Sequence, residues 1–235
     1  RKVKIMKFIR KLIVFLIIIL TLACSFLFLI GYGYYSNTIH EKTLTERVEE
    51  ITKKEHYTSF ENLPKNYINA IVATEDRRYY NHGPVDFIGI ARAFYTNIRD
   101  KDFDEGGSTI TQQVAKNVIF NQDKTLIRKV GEIFASYDLE KNYSKDEILA
   151  IYANSCYFGN GYYSIYDASM GYYNKEPKDL NLNEASMLAG VPNAPSLYAP
   201  TVNMSLAKKR QAHVLRKMVE NGYITQSEAN SVTNP

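Results

Sequence analysis

Residues 144–158 read SKDEILAIYANSCYF, and this stretch decides the fold class. Ser144 and Glu147 stand three apart just ahead of an apolar run. That is the pattern of a capping box, in which the serine side chain accepts from the backbone three residues on and the glutamate reaches back. The run behind it therefore reads as a helix. Working outward, residues 109–120 and 125–142 read as two helices before it. Phe87, Ile90, Ala91, Phe94 and Ile98 fall on one helical stripe, open to either core packing or insertion into a lipid surface. Asn62 and Pro64 form a helix start ahead of YINAIVATEDRRYY. On the other side a helix is expected over 183–190, and VPNAPSLYAP (191–200) reads as a loop. Residues 205–221 read as a helix closed by Gly222, and Thr225 with Glu228 caps a last short one. Few strand-like alternations compete, so residues 60–235 are expected to form one mostly α domain.

The N-terminal end is of another kind. Residues 12–30, LIVFLIIILTLACSFLFLI, hold nineteen residues without a charge. At about 1.5 Å per residue they span about 28 Å, close to the hydrocarbon thickness of a bilayer. Residues 1–11 carry Arg1, Lys2, Lys4, Lys7, Arg10 and Lys11 and no acid. The positive-inside rule places that end in the cytoplasm and residues 31–235 outside. The apolar run is long for a cleaved signal and lacks a small-residue cleavage site, so it reads as a retained transmembrane helix. Residues 31–59 then read as a stalk or linker.

The formal net charge of +4 comes from the tail: beyond residue 11 there remain 23 Lys/Arg against 25 Asp/Glu. The body is therefore no polybasic nucleic-acid binder. With 45% hydrophobic and 23% charged residues it is no disordered chain. Two cysteines, one in the apolar run, make no disulfide framework.

Four histidines, His40, His56, His82 and His213, lack helical ligand spacing, which speaks against zinc. Ser205-Leu-Ala-Lys208 matches S-x-x-K by chance, and Ser205 reads as a helix cap. Three polar groupings stand out. Glu75-Asp76 precedes Arg77-Arg78-Tyr79-Tyr80 and His82-Gly83. GGSTITQQVAKN (106–117) puts two glycines and hydroxyls at a helix N-terminus, where free N–H groups favour an anion. Arg128, Lys129 and Glu132 share one helical face. Taken singly, each has an ordinary reading as a surface ion pair or a cap.

Taken in order they resemble one family. ATEDRRYYNHG (73–83), GGSTITQQVAKN (106–117), RKVGE (128–132), KDEILAIYANSCYFGNGYYSI (145–165) and RQAHVL (210–215) are similar to the five successive motifs of the peptidoglycan glycosyltransferases. Length and anchor are similar to the monofunctional branch, and the glycosyltransferase domain of class A penicillin-binding proteins carries the same motifs. The resemblance implies a mostly α, lysozyme-like, two-lobed domain. It implies Glu75 as catalytic base and Glu132 as second essential carboxylate. It places Asp76, Ser108, Thr109, Thr111, Gln112, Gln113, Lys116, Lys124, Arg128, Lys129 and Arg210 in substrate binding. The implied substrates are lipid II and a polyprenyl-diphosphate-linked glycan, joined at the membrane, with inhibition by the donor mimic moenomycin. No cofactor is required, with room for a divalent ion, Mg or Mn, near Glu132. Transpeptidases and division or elongation proteins are the partners it suggests. The chain departs from the family pattern at Pro84, which alters the turn after His82, and at Gly131, where a cation is usual. A lytic, lysozyme-like enzyme and an inactive membrane scaffold are the rival readings; the cations argue against the first and both glutamates against the second.

Overall fold

The computed structural model describes residues 2–100, 106–120 and 125–233, and among these every regular element is helical. Helix α1 (Lys2–Glu41) is one unbroken run of 40 residues, about 60 Å long at 1.5 Å per residue. Residues 4–26 are exposed throughout, and the most apolar 18-residue window has a mean hydropathy of 3.2. By length and composition this helix can cross a bilayer.

Beyond residue 30 the structure differs from the expected stalk. α1 continues to Glu41 and packs along α6 (Leu126–Asn142). Tyr35 is buried and donates from Oη to Asp138 Oδ2 at 2.5 Å. Tyr34 stacks on Phe120 with ring centroids 5.4 Å apart, and Phe28 and Tyr32 close on Phe134. Helix α2 (Leu44–Thr52), started by a Thr43–Glu46 capping box, buries Val48 and Ile51 in the same core. The polar look of residues 31–59 hides these aromatic and β-branched contacts because their partners lie far along the chain. Two glycines permit the approach: a Cβ on Gly31 would clash with Val130 Cγ1, and one on Gly131 would meet Phe120 at 3.0 Å.

The rest divides into two helix groups that share one buried core, to which α3 (Lys65–Glu75) contributes Tyr67 and Ile71. Helix α5 (Ile110–Val118) lies between α6 and α7 (Lys145–Ser155). On the other side α3 packs on α9 (Leu182–Gly190) and on α11 (Met204–Glu220). Tyr67, Ile71, Ile110, Leu139, Ile148, Tyr152 and Leu188 are fully buried at the centre. The expected box of Ser144 with Glu147 starts α7.

Helix α4 (Phe87–Asp100) decides the question left open by its stripe. Phe87, Phe94 and Ile98 are 72%, 69% and 61% exposed, while the small Ala93 turns inward. The apolar face is therefore outward and does not pack in the core. Helix α8 (Ile165–Tyr173), capped by Ser164, was not expected. The 191–200 segment is not a plain loop: Pro192 and Pro195 open a 3₁₀ turn, Val191–Asn193, and the single-turn α10 (Pro195–Tyr198). α11 is capped by Asn203, whose side chain accepts from Leu206 N at 3.1 Å, and not by Ser205. Gly222, at φ +73°, ends it as expected. Thr225 with Glu228 then starts α12 (Gln226–Thr233).

Candidate active site

Adjacent acids at the end of α3 point two ways. Asp76, at φ −156°, breaks the helix. Its buried carboxylate accepts from Ile110 N at 3.2 Å and from His82 Nε2 at 2.7 Å. A negative charge at the start of α5 is favourable against the helix dipole. His82 also meets the Gly83 carbonyl through Nδ1. Burial opposes a charge on the ring, but the Asp76 and Gly83 hydrogen bonds and the Asp76 charge outweigh it and raise His82 above its ordinary value.

Helix α5 begins at Thr109, whose Oγ1 accepts from Gln112 N at 3.1 Å while Gln112 Oε1 accepts from Thr109 N. Thr109 donates to the Pro84 carbonyl and Thr111 to Glu140. The expected anion site at this N-terminus is thus partly filled from within, by Asp76 and the Thr109 cap. Asp76, Thr109 and Thr111 support the site from behind and do not line the cleft.

Glu75 faces the other way. Its Oε2 accepts from Gln113 Nε2 at 2.8 Å, and Arg210 Nη2 stands 3.5 Å from Oε1. Tyr79 and Tyr80 take other partners, the Lys145 carbonyl and Asp146. On α6, Glu132 has a side chain only 1% exposed, with Oε1 bound by Arg128 and Oε2 by Lys129 Nζ at 2.8 Å. Lys129 Nζ also donates to Ser108 Oγ at 2.7 Å, tying α6 to the segment before α5. Burial, then the charges of Arg128 and Lys116, hold the Lys129 ammonium down to about 8. With 43% of that side chain exposed, solvent tempers the shift.

These side chains converge on one open cavity of about 210 Å³. It is lined by Glu75, Ser108, Gln112, Gln113, Lys116, Lys129, Glu132 and Arg210. Arg128 stands behind it as the partner of Glu132, and Lys124 lies outside the described residues. The lining also includes Thr74, Pro192, Asn193 and His213, which the sequence reading passed over. His213 could have been found: it sits three residues after Arg210 on one helix, so the two share a face. Chemically, the cleft offers a carboxylate within reach of a cationic wall, which suits proton removal beside a departing anion.

A separate trio, Asp76, His82 and Asp86, brings its ligand atoms within 4.8 Å of one another. Its carboxylate oxygens are already met by His82, Ile110 N and, on Asp86, both arms of Arg78. That arrangement is an internal ion cluster.

Residues 40–219 match the family model described as Transglycosylase. The chain is 39% identical over 238 residues to penicillin-binding protein 1F of Bacillus subtilis (strain 168), covering 94% of this chain and 33% of the relative. It is 43% identical to penicillin-binding protein 1A of Neisseria flavescens over 74% of this chain and 22% of that one. A Cupriavidus necator protein bearing the name transglycosylase is 42% identical, covering 73% of this chain and 74% of its own length. The chain thus spans about a third or less of the penicillin-binding relatives. With the matched region carrying both glutamates and the whole lining of the cleft, the chain belongs to the transglycosylase family, the peptidoglycan glycosyltransferases whose motifs it shares.

Proposed function

We propose that the chain polymerises lipid II into linear glycan strands. The observation that carries this reading is the cleft itself: Glu75, oriented by Gln113 and Arg210, faces Lys116 and Lys129, with Lys129 fixed by buried Glu132. The acceptor is the GlcNAc 4-hydroxyl of lipid II, a poor nucleophile that must lose its proton as it attacks. Glu75 takes that proton. The oxygen forms a bond to C1 of the donor glycan from the face opposite the diphosphate. The C1–O bond to phosphate breaks, and its electron pair leaves with the polyprenyl diphosphate. The α-linked donor becomes a β(1→4) product. Lys116, Lys129 and Arg210 stabilise the charge that develops on the leaving group. Glu132 holds two of the cations, Arg128 and Lys129, in place; with both its oxygens so engaged, a divalent ion would act on the diphosphate and not on Glu132.

The outward apolar face of α4 supports a domain seated against the outer leaflet, with the residues after α1 outside the cell and the basic end of α1 inside. Both substrates are lipids, so confinement to their plane raises encounter frequency.

The purified chain, residues 1–235, supplied with lipid II tests this reading. Glu75→Gln keeps the shape and removes the base, so polymerisation should fall about 10²–10⁴-fold with folding intact. A Glu75→Gln chain that polymerises at the unmodified rate removes Glu75 from the mechanism, and cleavage of finished strands by the unmodified chain would instead favour a lytic enzyme.

A further inference from the structure

The cleft continues past Arg210 into a second, larger cavity of about 640 Å³ on the outer face of α11, a size typical of small-ligand sites. Its lining includes Tyr198, Leu206, Lys209, Arg210, His213 and Arg216, and no carboxylate among the described residues. On α11, Leu206, Lys209, Arg210, His213 and Arg216 recur at helical spacing, so they form one continuous face. Arg210 and His213 line both cavities and join them.

Arg210 gives the groove its chemistry. Its side chain is only 9% exposed, its Nη2 reaches Glu75 at a long 3.5 Å, its guanidinium lies 5.9 Å from the Tyr198 ring centroid, and its buried Nε has no hydrogen-bond partner among the described residues. A buried guanidinium left partly unbonded is unfavourable, and an anion at the junction would relieve it. Further out, Arg216 is shared between Glu220 at 3.0 Å and His213 Nδ1 at 3.0 Å, and Lys209 is exposed. The apolar surfaces of Tyr198, Leu206 and Ala212 lie among these cations.

We propose that this groove is a subsite for the carboxylate-bearing peptide stem that hangs from the glycan, so that α11 reads the stem while the first cavity performs the transfer. This rests on the glycosyltransferase reading above. The groove opens beside Glu75, where the new bond forms, so a substituent of the reacting sugar reaches it directly. The diphosphate is the other anion of the substrate, but of its cations Lys116 and Lys129 line only the first cavity and Arg210 alone is shared. Mixed apolar and basic lining fits a short peptide with small side chains and free carboxylates better than a bare phosphate.

The test is calorimetric titration of the full chain in detergent with a soluble disaccharide–peptide that has neither lipid nor diphosphate. Lys209→Ala/Arg216→Ala should weaken binding about three- to tenfold, the worth of two solvent-facing charge contacts. Converting the stem carboxylates to amides should cost the unmodified chain the same factor and the double variant nothing more. Lys209→Arg/Arg216→Lys should restore affinity, which separates charge from fold damage. Equal affinity in the double variant, or an equal loss with the amidated stem, overturns the proposal. So does competition by inorganic diphosphate that disappears in the double variant, which would assign the groove to the leaving group. Because this readout needs no turnover, a chain that binds the stem but polymerises nothing would sink the enzymatic reading and leave the groove standing.

Discussion

At the scale of single residues, two neighbouring acids have separate tasks, and their variants should separate cleanly. Asp76→Asn removes the charge that holds His82 and the first N–H of α5. It should cost about 3 kcal/mol in a denaturant melt, within the usual range for breaking a buried charged contact. The sign with pH follows from His82, whose value is raised in the fold. Its contribution is full below about 6.5, the unfolded value, and is lost as pH rises through the raised folded value. Asp76→Asn should abolish that slope, and a His82 ring titrating at or below 6.5 by NMR would contradict it. Lys129 makes the opposite kind of prediction. Held near 8, it loses its charge as pH climbs past that point, so affinity for an anionic donor mimic such as moenomycin should decline between pH 7 and 9. Lys129→Arg, which stays charged, should flatten the profile; an unchanged profile would remove Lys129 from the anion wall. Glu132→Gln should weaken the same mimic, whereas Glu75→Gln should not. The contacts of Glu132 with Arg128 and Lys129 are legible because spacings of three and four on one helix fix geometry, whereas Glu75 stands out only through the family resemblance. Pro192 and Asn193 are not legible, since the approach of their 3₁₀ turn to the cleft depends on contacts with distant helices.

At the scale of elements, helices with strong caps, Ser144 and Thr225 among them, are legible in the sequence because a cap is a local bond between residues three apart. The cap of α11 is not, since Asn203 and Ser205 are both cap formers two positions apart and only the backbone decides between them. Nor is the orientation of α4, because an outward and an inward apolar stripe share one period. Gly131 is the instructive case. Read by motif, it is a missing cation. In the fold it is the notch over which Tyr34 and Phe120 stack, fastening α1 to the helix that bears Glu132. Gly131→Leu should therefore cost about 1–3 kcal/mol by overpacking and weaken donor-mimic binding as α6 shifts. Tyr34→Ala in the same chain should recover part of the loss. Purely additive effects of the two changes would show that they do not share this contact.

At the scale of the whole molecule, the outward face of α4 and the apolar part of α1 should engage the same bilayer. The chain contains no tryptophan, so Phe94→Trp supplies a single reporter. In reconstituted vesicles its fluorescence should be quenched by lipids brominated along the acyl chain, and emission indifferent to them would lift α4 out of the membrane. The feature with the widest reach is the continuity of α1 from its apolar stretch to Glu41, fastened to α6 by Tyr34, Tyr35 and Phe28. A stiff axle with no universal joint carries rotation from one end to the other. Any torque that a lengthening strand exerts on the domain is delivered to the shaft and dissipated by spinning of the entire protein against the viscosity of the surrounding lipid.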